Sequence, residues 1–295
     1  MYMLLTTKMP QIRLAELEVC CLNTKIGDNK ALYFLYSEFL MRANRNADYG
    51  KILNDGEILA IDGRAVQWLW NFEKQPSLGI AKILNFLRNG ILMFVDFVLK
   101  RNYETKNDLI LGRKFVYNTF EIAQQKKQKI VIVCASDGDI LRENLTKMYP
   151  KLNFEICSFD PNGDFMSEKM YSSLSILQKH SLMTAKNMPK EFIQAFEIAK
   201  DFVQKEAPEL VLVCLGGSSG KQEFFIDYLK KSEAKFGIAM SLGAALDHLG
   251  AGQKQQKIPE TIQNLGLEFL YRLYKNPKRF ERIWDSTINF LWKCS

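Results

Sequence analysis

Short apolar runs of strand length alternate along this chain with longer segments in which apolar residues recur at helical spacing. The runs predict strands over Ala31 to Tyr36, Glu57 to Ile61, Lys129 to Ala135, Asn153 to Ser158, Leu210 to Leu215 and Phe236 to Met240. Between them the period changes to that of helices over Glu38 to Leu53, Arg113 to Gln125, Ile140 to Tyr149, Lys190 to Lys205 and Lys221 to Lys230. Strand and helix in alternation are the signature of an α/β domain, in which helical crossovers cover both faces of a largely parallel sheet.

Two stretches break the alternation. Residues 64–107 are rich in Trp, Phe and Leu and interrupted at Gln75-Pro76-Ser77, which predicts a helical insertion after the second strand. Its large side chains, among them Trp68, Leu84, Phe86 and Leu87, are expected mostly in the core, with a surface against lipid or another subunit as the alternative. The polar, glycine-containing residues 250–257 and then Pro259 mark a second boundary. The expected organisation is therefore an α/β domain over residues 1–258 and a helical appendage over 259–295. In the second appendage helix, Phe280, Ile283, Trp284, Thr287, Ile288 and Leu291 form an apolar stripe behind a basic first turn, suited to packing on the domain or lying on a membrane.

Composition narrows the chemistry. Of 295 residues 47% are hydrophobic, enough for a full core. The two histidines, His180 and His248, stand far apart without metal-ligand spacing, so neither a His-based zinc site nor a catalytic triad is expected and the chemistry must come mainly from carboxylates, amides and cations. Six cysteines include no CxxC pair, and no stretch reaches the roughly 20 apolar residues that span a bilayer. With no signal-peptide pattern at the N-terminus, the expectation is a cytoplasmic protein. The net charge is +7, and residues 254–295 hold eight Lys/Arg against four Asp/Glu, interleaved with aromatic residues. Such a surface fits anions, but no nucleic-acid-binding motif accompanies it.

Ligands of parallel sheets collect beyond the carboxyl ends of the strands. Asp62-Gly63 stands there, where a carboxylate could take a proton from an attacking hydroxyl and the glycine could admit substrate to the backbone; an ordinary turn is the competing reading. Gly216-Gly217-Ser218-Ser219-Gly220 lies between a strand and a helix start, where backbone N–H groups can hold phosphate. It fits neither the Walker A spacing nor the GxGxxG fingerprint. Arg272, Arg279 and Arg282 could converge on a diphosphate or simply be solvated arginines.

These pieces, in order, resemble the WecG/TagA/CpsF family of bacterial glycosyltransferases. The resemblance rests on Lys221-Gln222-Glu223, Gly243-Ala244-Ala245-Leu246-Asp247, Lys257-Ile258-Pro259, Gly266-Leu267-Glu268-Phe269-Leu270-Tyr271-Arg272-Leu273 and Pro277-Lys278-Arg279-Phe280-Glu281-Arg282, with Asp62-Gly63 upstream. It implies a Rossmann-like sheet and a C-terminal appendage. It also implies inverting transfer of a sugar, such as N-acetylmannosamine, from a UDP-sugar to a polyprenyl-diphosphate-linked saccharide in bacterial surface-polysaccharide biosynthesis, on the inner face of the cell membrane. Asp62 would then be the general base. Gly63, Gly216, Gly217, Gln222, Glu223 and Asp247 would line the substrate site, and Arg272, Arg279 and Arg282 would meet the diphosphate and an anionic membrane surface. No obligatory metal or other cofactor is implied, and a homo-oligomer is left open.

The chain also departs from the family pattern. The Thr-x-Asn element falls on Phe34-Leu35-Tyr36, and R-V-x-G-x-D falls near residues 109–114 without its Arg and Asp. These losses leave a second reading, a nucleotide-sugar-binding or assembly subunit of the same pathway with impaired turnover.

Overall fold

The computed structural model describes residues 17–18, 21, 23–62, 66, 80–98, 112–135, 137–159, 190–216, 220–243, 245–246, 249, 271, 274, 280 and 284–294. Their elements are β1 (Lys30–Leu35), α1 (Ser37–Arg45), α2 (Ala47–Asn54), β2 (Ile58–Ile61), α3 (Ile80–Val98), α4 (Gly112–Lys126), β3 (Lys129–Cys134), α5 (Gly138–Met148), β4 (Asn153–Ser158), α6 (Lys190–Glu206), β5 (Leu210–Cys214), α7 (Lys221–Lys231) and β6 (Ile238–Ser241). A π-helical turn, Trp284–Asn289, then leads into α8 (Phe290–Cys294).

The six strands form one all-parallel sheet in the order β2-β1-β6-β5-β3-β4. Strands covered on both faces must be apolar at nearly every position, which is why the runs were legible as unbroken. Every residue of β5 and β6 is buried, whereas the edge strand β4 is only partly so. Alternation divides the core in two. Tyr33, Leu35, Val131, Val133, Val211 and Val213 face α1, α2, α6 and α7, while Leu32, Phe34, Ile132, Leu210 and Leu212 face α4 and α5. The α/β, Rossmann-like expectation is met, with the helices on two layers.

Helix boundaries moved where caps intervened. The segment expected as one helix is split at Asn46, whose extended backbone ends α1 by an N–H donated to the Arg42 carbonyl. Its side chain accepts from the Tyr49 N–H at 3.1 Å to start α2. An amide that satisfies an orphan N–H of a new helix competes well with continuing the old one. Similarly α5 begins earlier than expected because Asp137 Oδ1 accepts from Asp139 and Ile140 N–H.

The chain's end packs back on the domain. Phe290 is fully buried in the layer of α1 and α2, and the π turn contacts α1 while α8 contacts α3. Phe280 and Trp284 of the expected stripe are exposed, while the side chains of Ile283, Thr287 and Leu291 lie outside the description. The wider π turn shifts the register, so the residue that plugs the core lies outside a stripe drawn at 3.6 spacing. The insertion also differs from expectation: Leu84 and Leu87 of α3 are 62% and 54% exposed.

Candidate functional site at the carboxyl edge of the sheet

Asp62 extends the edge pairing of β2 by one residue, its N–H donating to the Leu35 carbonyl at 2.7 Å. That bond fixes the backbone just beyond the carboxyl end of the strand. The side chain turns toward the start of α4, where a Cβ on Gly112 would stand 3.7 Å from Asp62 Oδ2. The carboxyl keeps some accessible surface yet is densely surrounded, and burial raises its pKa to about 6. Desolvation thus produces a stronger base than an ordinary carboxylate, still ionised at neutral pH.

The topological switch point of the sheet lies nearer the centre of the same edge. The neighbouring strands β5 and β3 are followed by α7 and α5, which lie on opposite faces of the sheet. Their departures leave a gap of the kind that receives ligands in doubly wound folds. Gly216 on its β5 side has φ +78°, a left-handed conformation suited to glycine, and its N–H donates to the Gly243 carbonyl at 3.4 Å. Gly220 enters α7 with φ +74°. A Cβ there would lie 2.9 Å from Tyr49 Cε2 and 3.0 Å from Arg42 Nη1, so glycine is required both by the backbone and by the neighbours. The first turn of α7 starts at this edge, and a helix N-terminus favours an anion.

A buried polar network that only the fold assembles surrounds the start of α7. Arg42 donates to Glu38 Oε1 at 2.9 Å and lies over the rings of Tyr49 (5.1 Å) and Phe39 (5.6 Å). Gln222 and Glu223 are 1% and 0% exposed. Gln222 Nε2 donates to Glu223 Oε1 at 2.8 Å, and Gln222 Oε1 accepts from the Gly243 N–H at 2.8 Å. Both ends of the Gln222 amide are therefore engaged by protein, and the side chain ties the start of α7 to the turn after β6.

Burial raises the Glu223 pKa to about 7, against the opposing pull of Arg42, Gln222, its own backbone N–H and Tyr49. The Tyr49 hydroxyl stands beside this carboxyl, although neither it nor Glu223 Oε2 completes a hydrogen bond of normal geometry. When Glu223 is neutral, Arg42 and Glu38 leave the cluster without net charge. The only warning in the sequence was the i,i+4 spacing of Glu38 and Arg42, which predicts a pair without saying that it is buried.

The structure therefore places Asp62 and Gly216 on one edge of the sheet, with Gln222 and Glu223 behind it. Strands β1 and β6 lie between β2 and β5, so Asp62 and Gly216 are three strand spacings, roughly 14 Å, apart. Gly63, Gly217, Asp247, Arg272, Arg279 and Arg282 lie outside the described residues. At the end of β1, Phe34 is buried against Phe115 and Tyr36 stacks on Phe39. Two positions expected to be polar in the family pattern are thus occupied by packing aromatics. A surface hollow of about 320 Å³ lined by Lys200, Tyr228 and Lys231 sits at the far end of α7, away from this edge.

The model of the Glycosyl transferase WecG/TagA/CpsF family matches residues 90–295. No curated protein matches the chain. The matched region takes in β3 to β6, the glycine loop, Gln222 and Glu223, and begins after β1, β2 and Asp62. It is narrower at its start than the resemblance read from the motifs, which takes in Asp62-Gly63. Because it spans well over half of the 295 residues and coincides with the crevice-forming strands, the chain belongs to the WecG/TagA/CpsF family of glycosyltransferases.

Proposed function

We propose that the protein transfers a sugar, with inversion, from a UDP-sugar to a polyprenyl-diphosphate-linked saccharide in assembly of a bacterial surface polysaccharide. The observation that carries this reading is the crowded, more basic carboxylate of Asp62 on the same sheet edge as the glycine loop. The spacing between them suits an elongated donor, with its nucleotide at the β5 end and its sugar directed toward β2. Asp62 accepts the proton of the acceptor hydroxyl as that oxygen bonds to the anomeric carbon. The bond from that carbon to the UDP oxygen breaks, and its electron pair stays on the diphosphate. Attack from the face opposite the leaving group inverts the centre.

The α7 N–H groups and Arg272, Arg279 and Arg282 stabilise the departing charge, so the reaction needs no metal. Gly63 gives the acceptor room and Gly217 adds an N–H to the phosphate cradle. Gln222 and Glu223 hold the floor of the donor site, and Asp247, four residues after Gly243, meets the nucleotide.

A panel of UDP-sugars with lipid-diphosphate acceptors, with and without EDTA, tests the reading. Product is expected at equal rates in both conditions, and Asp62→Asn should lose at least about 100-fold in kcat while keeping the thermal shift produced by UDP. Full activity of that variant would remove Asp62 from the role of base. The aromatic packing of Phe34 and Tyr36 favours a second reading, a nucleotide-sugar-binding subunit. UDP binding without transfer for every donor and acceptor would select it.

A further inference from the structure

Gly112 opens α4 beside Asp62, and neither its backbone nor its packing explains why it is a glycine. Its φ lies outside the left-handed region where glycine is favoured, unlike those of Gly216, Gly220 and Gly243. Among the described residues, the atom that an added Cβ would meet within 4 Å is Asp62 Oδ2, at 3.7 Å, an ordinary van der Waals contact. Gly56, Gly138 and Gly237 differ in kind, because a Cβ at each would stand under 3.0 Å from a neighbour. Alanine forms helices better than glycine, so folding alone favours a side chain at residue 112. What the glycine keeps clear is the approach to the Asp62 carboxyl. The other walls of that approach follow from register. Ala60 lies two residues before Asp62, on the same face by alternation, and Phe34 of β1 is its partner across the strands. Phe115 follows Gly112 by one helical turn and packs on Phe34 with ring centroids 5.2 Å apart, so this buried aromatic pair closes the inner side. None of these four neighbours carries a side-chain donor, so among them the Asp62 carboxyl finds no partner and can accept from a ligand hydroxyl.

We propose that Gly112 is a specificity-determining residue of the acceptor subsite, where the lack of a side chain admits the saccharide carbon that bears the attacking hydroxyl and lets that oxygen reach Asp62. Distances carry the point. A hydroxyl oxygen hydrogen-bonded to Oδ2 at about 2.7 Å holds its own carbon roughly 3.5 Å from the same oxygen. The methyl group of an alanine at residue 112 would stand 3.7 Å from Oδ2 and so compete for the same shell. Gly112 thereby selects among acceptors by bulk next to the reacting hydroxyl, while Phe34 and Phe115 limit how deep the sugar can enter. The glycine loop, on the far side of β1 and β6, is untouched by the change, so the effect belongs to the acceptor and not to the donor. This assignment rests on the glycosyl-transfer reading and adds the wall that chooses the acceptor.

Gly112→Ala and Gly112→Val test it in the full chain, beside wild type and Asp62→Asn, with lipid-diphosphate acceptors. Thermal melts should place Gly112→Ala at or above wild type, and the thermal shift produced by UDP should be the same in both glycine variants as in wild type. The KM for the UDP-sugar should hold, whereas kcat/KM for the acceptor should fall about five-fold in Gly112→Ala and at least about 100-fold in Gly112→Val. A residue that only shaped α4 would change the melts and leave this split absent. Acceptor kinetics of Gly112→Val equal to wild type, a Gly112→Ala that melts well below wild type, or a Gly112→Ala that loses the UDP shift would each overturn the inference. An active Asp62→Asn beside an impaired Gly112→Val would sustain the wall and move the base elsewhere. The opposite pair of results would sustain the base and remove the wall. If wild type transfers to no acceptor, binding of a short-chain lipid-diphosphate saccharide decides: weaker binding by Gly112→Val sustains the wall, and equal or absent binding overturns it.

Discussion

Two carboxyl groups, Asp62 and Glu223, are raised by the same cause and serve different ends. Burial lifts Asp62 to about 6 at the accessible rim of the sheet, so its base form is lost as pH falls through that value. Under the proposed mechanism kcat/KM should fall about ten-fold per pH unit below 6, with a plateau above it, as a pH–rate profile would show. Glu223 lies inside, with its pKa at about 7 against an unperturbed 4.5. A carboxyl whose folded pKa is raised adds stability that is fully present below 4.5 and lost as pH rises through 7. Glu223→Gln should therefore flatten the fall in stability across that window and raise stability at pH 8 by about 1–3 kcal/mol, measured by urea melts at several pH values. The glutamine can still accept from Gln222, so the tie to Gly243 survives the test.

At the scale of elements, Gly220 joins the glycine loop to the buried network beneath it. Gly220→Ala forces a left-handed backbone on an L-residue and a methyl group against Tyr49 and Arg42. A loss of roughly 1–3 kcal/mol in denaturant unfolding is expected, together with weaker binding of UDP. The elements themselves were legible to different degrees for physical reasons. Strands such as Leu210–Cys214 read clearly because burial on two faces leaves no polar position to blur the run. The break at Asn46 did not, because the apolar pattern runs through it and a single side-chain cap decides the matter. In α3 the apolar residues are visible as a period, but a period does not say which side meets solvent. Asp62 and the glycine loop were found because strand ends and glycines announce themselves in sequence. Arg42, Glu38 and Tyr49 did not, since only the fold brings them against Glu223.

At the scale of the molecule, the C-terminal segment is held where Phe290 enters the core shared by α1 and α2. Phe290→Ala should free that segment, costing about 3–5 kcal/mol if the site does not collapse. Limited proteolysis should then cut before residue 290 in the variant and not in wild type. The same loss would detach Trp292 from Phe86 and Lys82 of α3.

The strand order has a further consequence, in time. Strand β1 lies between β2, its neighbour in sequence, and β6, which ends at Ser241. During synthesis the first two strands are finished long before their partner: at 5–20 residues per second, β6 follows β2 by roughly ten to forty seconds. Throughout that interval the β1 edge destined for β6 has no native partner, and its sequence Ala31-Leu32-Tyr33-Phe34-Leu35 is among the most apolar in the chain. The part of the protein that carries Asp62 thus depends for its completion on strands that leave the ribosome last.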